Sequence, residues 1–362
     1  MRQQAKYLQI AHILVGRIQH MLPGSRCPGV NQIAQEFHVA RATAERVLRY
    51  LVQHGYVEQV VGSGTFVAER RSRKIIVLVP PDPAHGVGPQ HNPDLRLAGV
   101  VSQRLQQAGY QVVVRSEEPS PRELLAQDPD LLVTVGVTSN RYLEEILRHG
   151  KPIVTIDSST FGLPADFVFS AVVRNSYLAT RSLFEAGLRR IWLVGTYYGS
   201  ANASITSLGH GMGFHAASYE AGQAEPGQRI HLLKSPADLD RILADLFASN
   251  HRPQAIVTAD NRIGEHFLSA ARQRGVRVPL DLAIFAAHGE EPAQVTCLVR
   301  DHEQIASAIT SVAWHRLHEP DRPPQHQVVV SKFIDAGTIP PEAAAFIRRM
   351  LPQRERAEGE DG

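Results

Sequence analysis

The chain has 362 residues, 43% of them hydrophobic and 20% charged, the make-up of a soluble globular protein split into two or three compact units. Its longest purely apolar runs, such as Ile75–Val79, are strand-length and fall far short of the ~20 residues a membrane span needs. The formal net charge of +2 conceals a division, because residues 1–74 hold 11 Lys plus Arg against 4 Asp plus Glu, leaving 27 against 32 in the rest.

A small basic head on a mildly acidic body is the electrostatic pattern of a nucleic-acid-binding domain attached to something else. The N-terminus mixes polar groups into its apolar pattern and shows no small-residue cleavage site, so a cytoplasmic protein is expected. Cys27 and Cys297 lack CxxC spacing, which points to two unpaired thiols rather than a disulfide or a zinc site.

Residues 7–20 place Leu8, Ile10, Ala11, Leu14, Val15 and Ile18 at helical spacing, and Pro23-Gly24 stops the pattern. A second short helix is predicted over 30–37. After His38-Val39-Ala40 a third follows over 41–54, with Ala44, Val47, Leu48, Leu51 and Val52 inward and Gly55 ending it. Two helices parted by about three residues have the spacing of a helix-turn-helix, whose second member reads the major groove. Beyond Gly55 the period switches to that of strands, over 56–61 and 65–68, joined by Gly62-Ser63-Gly64. A hairpin in that position is a wing, whose glycines let its backbone approach a phosphate or a groove closely.

From Lys74 strands and helices alternate. Strands are predicted at 75–79, 112–114, 131–136 and 152–157, with helices at 95–108, 121–127 and 139–149 between and after them. A second series starts near Arg174, with helices over 175–187, 211–222, 236–249 and 262–274 among strands at 191–195, 230–233, 255–259 and 282–287. Such alternation implies parallel sheets covered by helices on both faces, and two lobes of this kind hold ligands in the cleft at the carboxyl ends of their strands.

Residues 7–68 resemble the winged-helix domain of GntR-family transcription regulators. The likeness rests on Tyr7-Leu-Gln-Ile10, Pro28, Ile33-Ala34, Val39-Ala-Arg-Ala-Thr43 and Gly62-Ser-Gly-Thr-Phe-Val67. It implies DNA contacts from Asn31, Arg41, Thr43, Arg46, Ser63, Gly64 and Thr65. The chain departs from the family at Ala40, where a serine is usual, at Asn31, where an arginine is usual, and at Glu45, also in place of an arginine. These exchanges alter which bases are read more readily than they abolish binding, since affinity comes from many phosphate contacts together.

The region 74–340 resembles the periplasmic-binding-protein-like effector domain of LacI-family regulators. The matching stretches include Pro152-Ile-Val-Thr-Ile-Asp157, His210-Gly-Met-Gly-Phe214, Ala255-Ile-Val-Thr-Ala-Asp-Asn261 and Val299-Arg-Asp301. The resemblance implies an effector pocket built from His85, Asp157, Ser158, Arg174, Ser204, Thr206, His210, Asp260, Asn261 and His288. Ser204 and Thr206 are read as part of a loop before His210. Arg174, His210, Asp260 and His288 stand where the family commonly has aspartate, arginine, asparagine and aspartate, so the ligand meets a different set of donors and acceptors.

The expected architecture is thus an α/β chain in four parts: a winged helix-turn-helix at 1–68, a linker at 69–74, a two-lobed doubly wound α/β body at 75–345 and a charged tail at 346–362. The expected function is that of a repressor acting as a homodimer on double-stranded operator DNA and controlled by a small, sugar-like effector. The alternative is a regulator whose body is only a dimerisation scaffold. No catalytic residue, metal or cofactor is expected. The four body lysines lack the setting of a pyridoxal-phosphate enzyme, and Gly209-His-Gly-Met-Gly213 has no GxSxG partner.

Overall fold

The computed structural model describes the chain apart from residues 1–5, 19–20, 23, 54, 69–72, 81–92, 137–138, 157–161, 197–200, 224–225, 234–235, 249–251 and 352–362. The head is built from α1 (Lys6–Ile18), β1 (Arg26–Cys27), α2 (Val30–Glu36), α3 (Arg41–Gln53), β2 (Val57–Val60) and β3 (Gly64–Val67). Their apolar faces meet in one core around Leu14, Ile33, Val47, Leu51 and Tyr56. Between α2 and α3 the turn is made by His38 in the left-handed region (φ +50°), with the Val39 N–H donating to the Ala34 carbonyl. The strands form an antiparallel sheet in the order β1-β3-β2.

The body's first sheet contains β4 (Lys74–Leu78), β5 (Gln111–Arg115), β6 (Leu131–Val135), β7 (Ile153–Ile156), β8 (Asp166–Ser170) and β14 (His326–Val329), in the order β14-β8-β7-β6-β4-β5. All its pairings are parallel. Helices α4 (Pro93–Gln107), α5 (Pro121–Leu125), α6 (Asn140–Arg148) and α11 (His302–His318) cover it. The Ser120 and Ser139 hydroxyls accept hydrogen bonds from the backbone at Glu123 and Tyr142 and so start α5 and α6.

The second lobe's sheet contains β9 (Ile191–Thr196), β10 (Ile230–Leu233), β11 (Ala255–Thr258), β12 (Ala283–Gly289), β13 (Thr296–Val299) and β15 (Lys332–Ile334), in the order β10-β9-β11-β12-β13-β15. Only β15 runs antiparallel to its neighbour. Around it lie α7 (Val172–Glu185), α8 (Ala201–Glu220), α9 (Pro236–Ala248), α10 (Asn261–Gln273) and α12 (Pro341–Met350).

The lobes are therefore not two consecutive segments. The chain passes between them three times, from β8 into α7, from β13 into α11 and from β14 into β15. The passages are tied together where they meet: Asn175 Nδ2 donates to Ser331 Oγ at 2.8 Å, and Lys332 Nζ lies 3.2 Å from Asp301 Oδ1. Helix α12 buries Phe346 and Ile347 in the second lobe's core, so the body extends past 345 and the expected tail does not begin at 346. Among the described residues no helix is long and apolar enough to cross a membrane.

Candidate functional site

Two surfaces collect the sequence-predicted residues. On the head, Arg41, Arg46 and Arg49 are exposed along α3, while Ala44, Val47, Leu48 and Leu51 point into the core; Val52, expected inward, is instead exposed near the helix end. Arg41 is held by the Glu45 carboxylate one turn on, at 3.1 Å. An exposed pair of this kind is worth under about 1 kcal/mol and yields readily to a phosphate. Asn31 is exposed in the first turn of α2, and Thr43 is half-buried.

The wing turns at Ser63, whose N–H donates to the Val60 carbonyl, between Gly62 (φ +79°) and Gly64 (φ +126°), conformations that favour glycine. Thr65 is the exception among the predicted contacts. It is 4% exposed, with its side chain enclosed in the sheet, so only Ser63 and Gly64 stand at the tip. The structure adds Arg26, which the sequence reading missed: its guanidinium lies against the wing and donates to the Ser63 carbonyl at 3.4 Å. Its signal was only that a lone arginine precedes Cys27, and pairing of β1 with β3 is what carries it to the wing.

The second group gathers where the two lobes meet, the place of the expected cleft. His85, Asp157 and Ser158 lie outside the described residues. The Ser204 and Thr206 side chains do too, although both positions belong to helix α8, which starts well before the expected 211 and replaces the expected loop. His210 sits on α8 with 1% of its surface exposed, and among the described residues neither ring nitrogen finds a hydrogen-bond partner. Helix α8 is locked there by the Ser176 hydroxyl, which donates to the His210 carbonyl at 2.7 Å, and by Gly213. A Cβ at 213 would lie 2.3 Å from the Val173 carbonyl oxygen of α7. His288, at the end of β12, is half-buried, and its Nδ1 also has no partner among the described residues.

Three other predicted residues are committed elsewhere. Arg174 turns to α12 and donates to the Met350 carbonyl at 3.2 Å. Asp260 caps α10 by accepting from the Ile263 N–H at 3.0 Å. Asn261 exchanges hydrogen bonds with the backbone of Glu290, at 3.2 and 3.3 Å. The resemblance located Arg174 and Asn261 but not their partners, which lie 176 and 29 positions away in sequence; the Asp260 cap is local.

What the sequence reading did not find is the ion-pair network beside His288. Arg300 donates from Nε to Glu290 Oε1 at 2.6 Å and from Nη1 to Asp94 Oδ1 at 2.9 Å, and His302 Nε2 lies 2.8 Å from Glu290 Oε2. Asp94 belongs to the first lobe and Glu290 to the second, so Arg300 joins the two across the cleft. Arg96 adds a bond to the Glu291 carbonyl at 3.1 Å. Room for Asp94 comes from Gly136 (φ +80°), where a Cβ would lie 2.6 Å from the carboxylate. Arg300 stood in the quoted stretch Val299-Arg-Asp301, but nothing local tells a pocket arginine from a surface one.

Arg300 is shared between two carboxylates here, and the His210 and His288 rings are held neutral. Burial pushes His210 down to about 4. Burial, then the nearby Arg300 charge, pushes His288 down to about 3. Glu290 is held down to about 2, because the His302 hydrogen bond and the Arg300 charge outweigh burial, which alone would raise it. A neutral imidazole offers one donor and one acceptor, the complement of a hydroxyl group.

The histidines also set a pH dependence. Each binds a proton in the unfolded chain before it does in the folded one, so its contribution is complete above about pH 6.5 and is lost as the pH falls towards 4. At up to about 1.4 kcal/mol per pH unit each, the chain is expected to lose roughly 2–4 kcal/mol between about pH 6.5 and 5, and His210→Gln should lose about 2 less. Urea unfolding at the two pH values measures this; equal losses in both proteins would contradict the placement of His210.

Comparison with known proteins adds to this geometry. The family model described as bacterial regulatory proteins, gntR family, matches residues 6–67, and that of the periplasmic binding protein-like domain matches 180–338. The arabinose metabolism transcriptional repressor of Halalkalibacterium halodurans is 26% identical over 73% of this chain and 74% of its own length. The catabolite repressor/activator of Escherichia coli is 21% identical over 81% of this chain and 88% of its own length. Among solved structures, a LacI family transcriptional regulator from Enterococcus faecium with bound ribose superimposes with a TM-score of 0.59. It is 17% identical and covers 74% of this chain and 99% of its own, a likeness of fold alone.

Proposed function

We propose that this chain, a GntR-type winged-helix head joined to a LacI-type periplasmic-binding-protein-like body, is a transcription repressor whose grip on operator DNA is controlled by a small polyhydroxylated ligand in the body's cleft. Two copies acting together place two heads on an inverted repeat, the arrangement a dyad-symmetric operator requires. The protein works in the cytoplasm, where the chromosome is.

The observation that carries the ligand reading is the His210–His288 pair. Burying an imbalance of unpartnered polar atoms costs free energy, and a molecule that brings hydroxyl groups to both rings removes that cost. The same observation argues against a ligand-independent scaffold, in which apolar filling would be the cheaper way to close the cleft. With Arg300 already shared between Asp94 and Glu290, an uncharged ligand fits better than an anion.

The reading is tested by thermal unfolding in the presence of pentoses, hexoses and disaccharides. A ligand at a hundred times its Kd should add about 2.7 kcal/mol and raise Tm by roughly 5–10 °C. His210→Ala should abolish that rise. A hit that stabilises the variant equally would place the ligand elsewhere, and no hit among neutral sugars would sink the proposed ligand class.

A further inference from the structure

Helix α11 has one end at the cleft and the other under the head. At its start Asp301 accepts from the Gln304 N–H, and His302 joins the Glu290–Arg300–Asp94 network. Seventeen residues later, about 25 Å along at 1.5 Å per residue, it reaches the winged helix. There the His318 imidazole stacks on Tyr56 of the head, with ring centres 5.3 Å apart and planes 13° from parallel. Trp314 stacks on the same imidazole at 4.8 Å and packs into the head's own core. The Arg73 guanidinium, just beyond the head, donates to the Leu317 carbonyl. Tyr50, on the inward face of α3, is buried, and burial followed by the Glu319 charge pushes its phenol up to about 12.

Between its ends α11 buries Ile305, Ile309, Val312 and Ala313 in the first lobe's core, so it moves as part of that lobe. Arg41, Arg46 and Arg49 of α3 stay exposed with the head seated in this way. The described contacts of this seat include two ring stacks, one hydrogen bond and the packing of Trp314 against the head's core, all gathered at the end of a single helix.

We propose that α11 is the strut by which the state of the ligand cleft reaches the DNA-contacting head, with the Tyr56–His318–Trp314 stack as its seat. The inference rests on the reading of the cleft given above, but it can be tested without any ligand. The full chain and its His318→Ala variant are compared by limited trypsin digestion at the basic run Arg70, Arg71, Arg73 and Lys74 and by small-angle scattering, with circular dichroism to establish folding. His318→Ala should speed cleavage at least about fivefold and raise the radius of gyration, because the head is released. Binding of a random-sequence duplex at low salt should stay within about twofold, since the phosphate contacts are untouched. Should His318→Ala lose its fold, Trp314→Leu replaces it; loss of fold in both would overturn the proposal by making the seat part of a core.

The relay itself is read by hydrogen exchange in a His302→Gln variant, altered at the far end of the helix. Exchange across residues 47–57 should change by about threefold or more while that of α6 stays constant. Unchanged exchange in the head, or unchanged cleavage in a folded seat variant, overturns the strut. Either result would leave the cleft's ligand reading standing, and a failed sugar screen would leave the strut standing.

Discussion

Asp166→Ala is expected to lower the unfolding free energy by about 3–5 kcal/mol, the cost of removing one partner from a buried ion pair. Asp166 is 1% exposed on β8 and accepts from Arg316 Nε at 2.7 Å, from Arg316 Nη2 at 3.0 Å and from the Gln325 N–H at 2.8 Å. The same guanidinium donates to the carbonyls of Pro320 and Arg322, both at 2.9 Å. One pair therefore fixes the end of α11, the turn that follows it and the pairing of β14 with β8. Alanine strands a largely buried cation and an amide that had an acceptor. Asp166→Asn keeps an acceptor and should cost about half as much. Urea unfolding with an unchanged m-value measures both, and a loss below about 1 kcal/mol for alanine would contradict this account of the lobe.

Arg300→Ala is expected to cost about 3 kcal/mol at neutral pH, because it leaves Glu290 and Asp94 facing each other in a half-buried cleft without their shared cation. The pH dependence separates this from a simple packing defect. In the parent, Glu290 contributes stability that is complete above about 4.5 and is lost as the pH falls towards 2. Without Arg300 that dependence should shrink, and the His288 ring, freed of a neighbouring positive charge, should titrate nearer its ordinary 6.5. Unfolding curves from pH 7 down to about 3 read the first effect and an NMR titration of the histidines the second. A variant with parental acid sensitivity would show that Arg300 does not hold Glu290 in solution.

The parts of the fold legible in the sequence were those governed by local periodicity. The helix-turn-helix and wing follow from apolar spacing and from Gly55, Gly62 and Gly64, and the strands of both sheets that are buried on two faces read as unbroken apolar runs such as Ile75–Val79. What escaped was set by long-range return of the chain. The alternation suggested one lobe followed by another, whereas α11 and β14 go back to the first lobe, and β15 and α12 return to the second. Such crossings leave no trace in periodicity, because a helix carries the same stripe whichever sheet it covers.

The candidate site divides in the same way. His210, His288, Arg174, Asp260 and Asn261 were all singled out from resemblance to a family, but the partners of Arg174 at Met350 and of Asn261 at Glu290 emerge only in the assembled chain. Arg300 and Asp94 lie 206 positions apart, and only the assembled lobes bring them to 2.9 Å. Thr65 points into the sheet because the strand's alternation at the wing turns it inward, a register that the glycine turn alone did not fix.

The central claim, sequence-specific DNA binding by the winged-helix head, is tested most directly by selecting duplexes from a random pool with the full-length chain and measuring the affinity of the enriched sequence at fixed salt. The account predicts an inverted repeat, bound at least about a hundredfold more tightly than random duplex, with Arg41→Ala in a folded protein losing about tenfold or more of that preference. A pool that emerges without enrichment, or an Arg41→Ala variant that keeps full preference for the selected repeat, would contradict it.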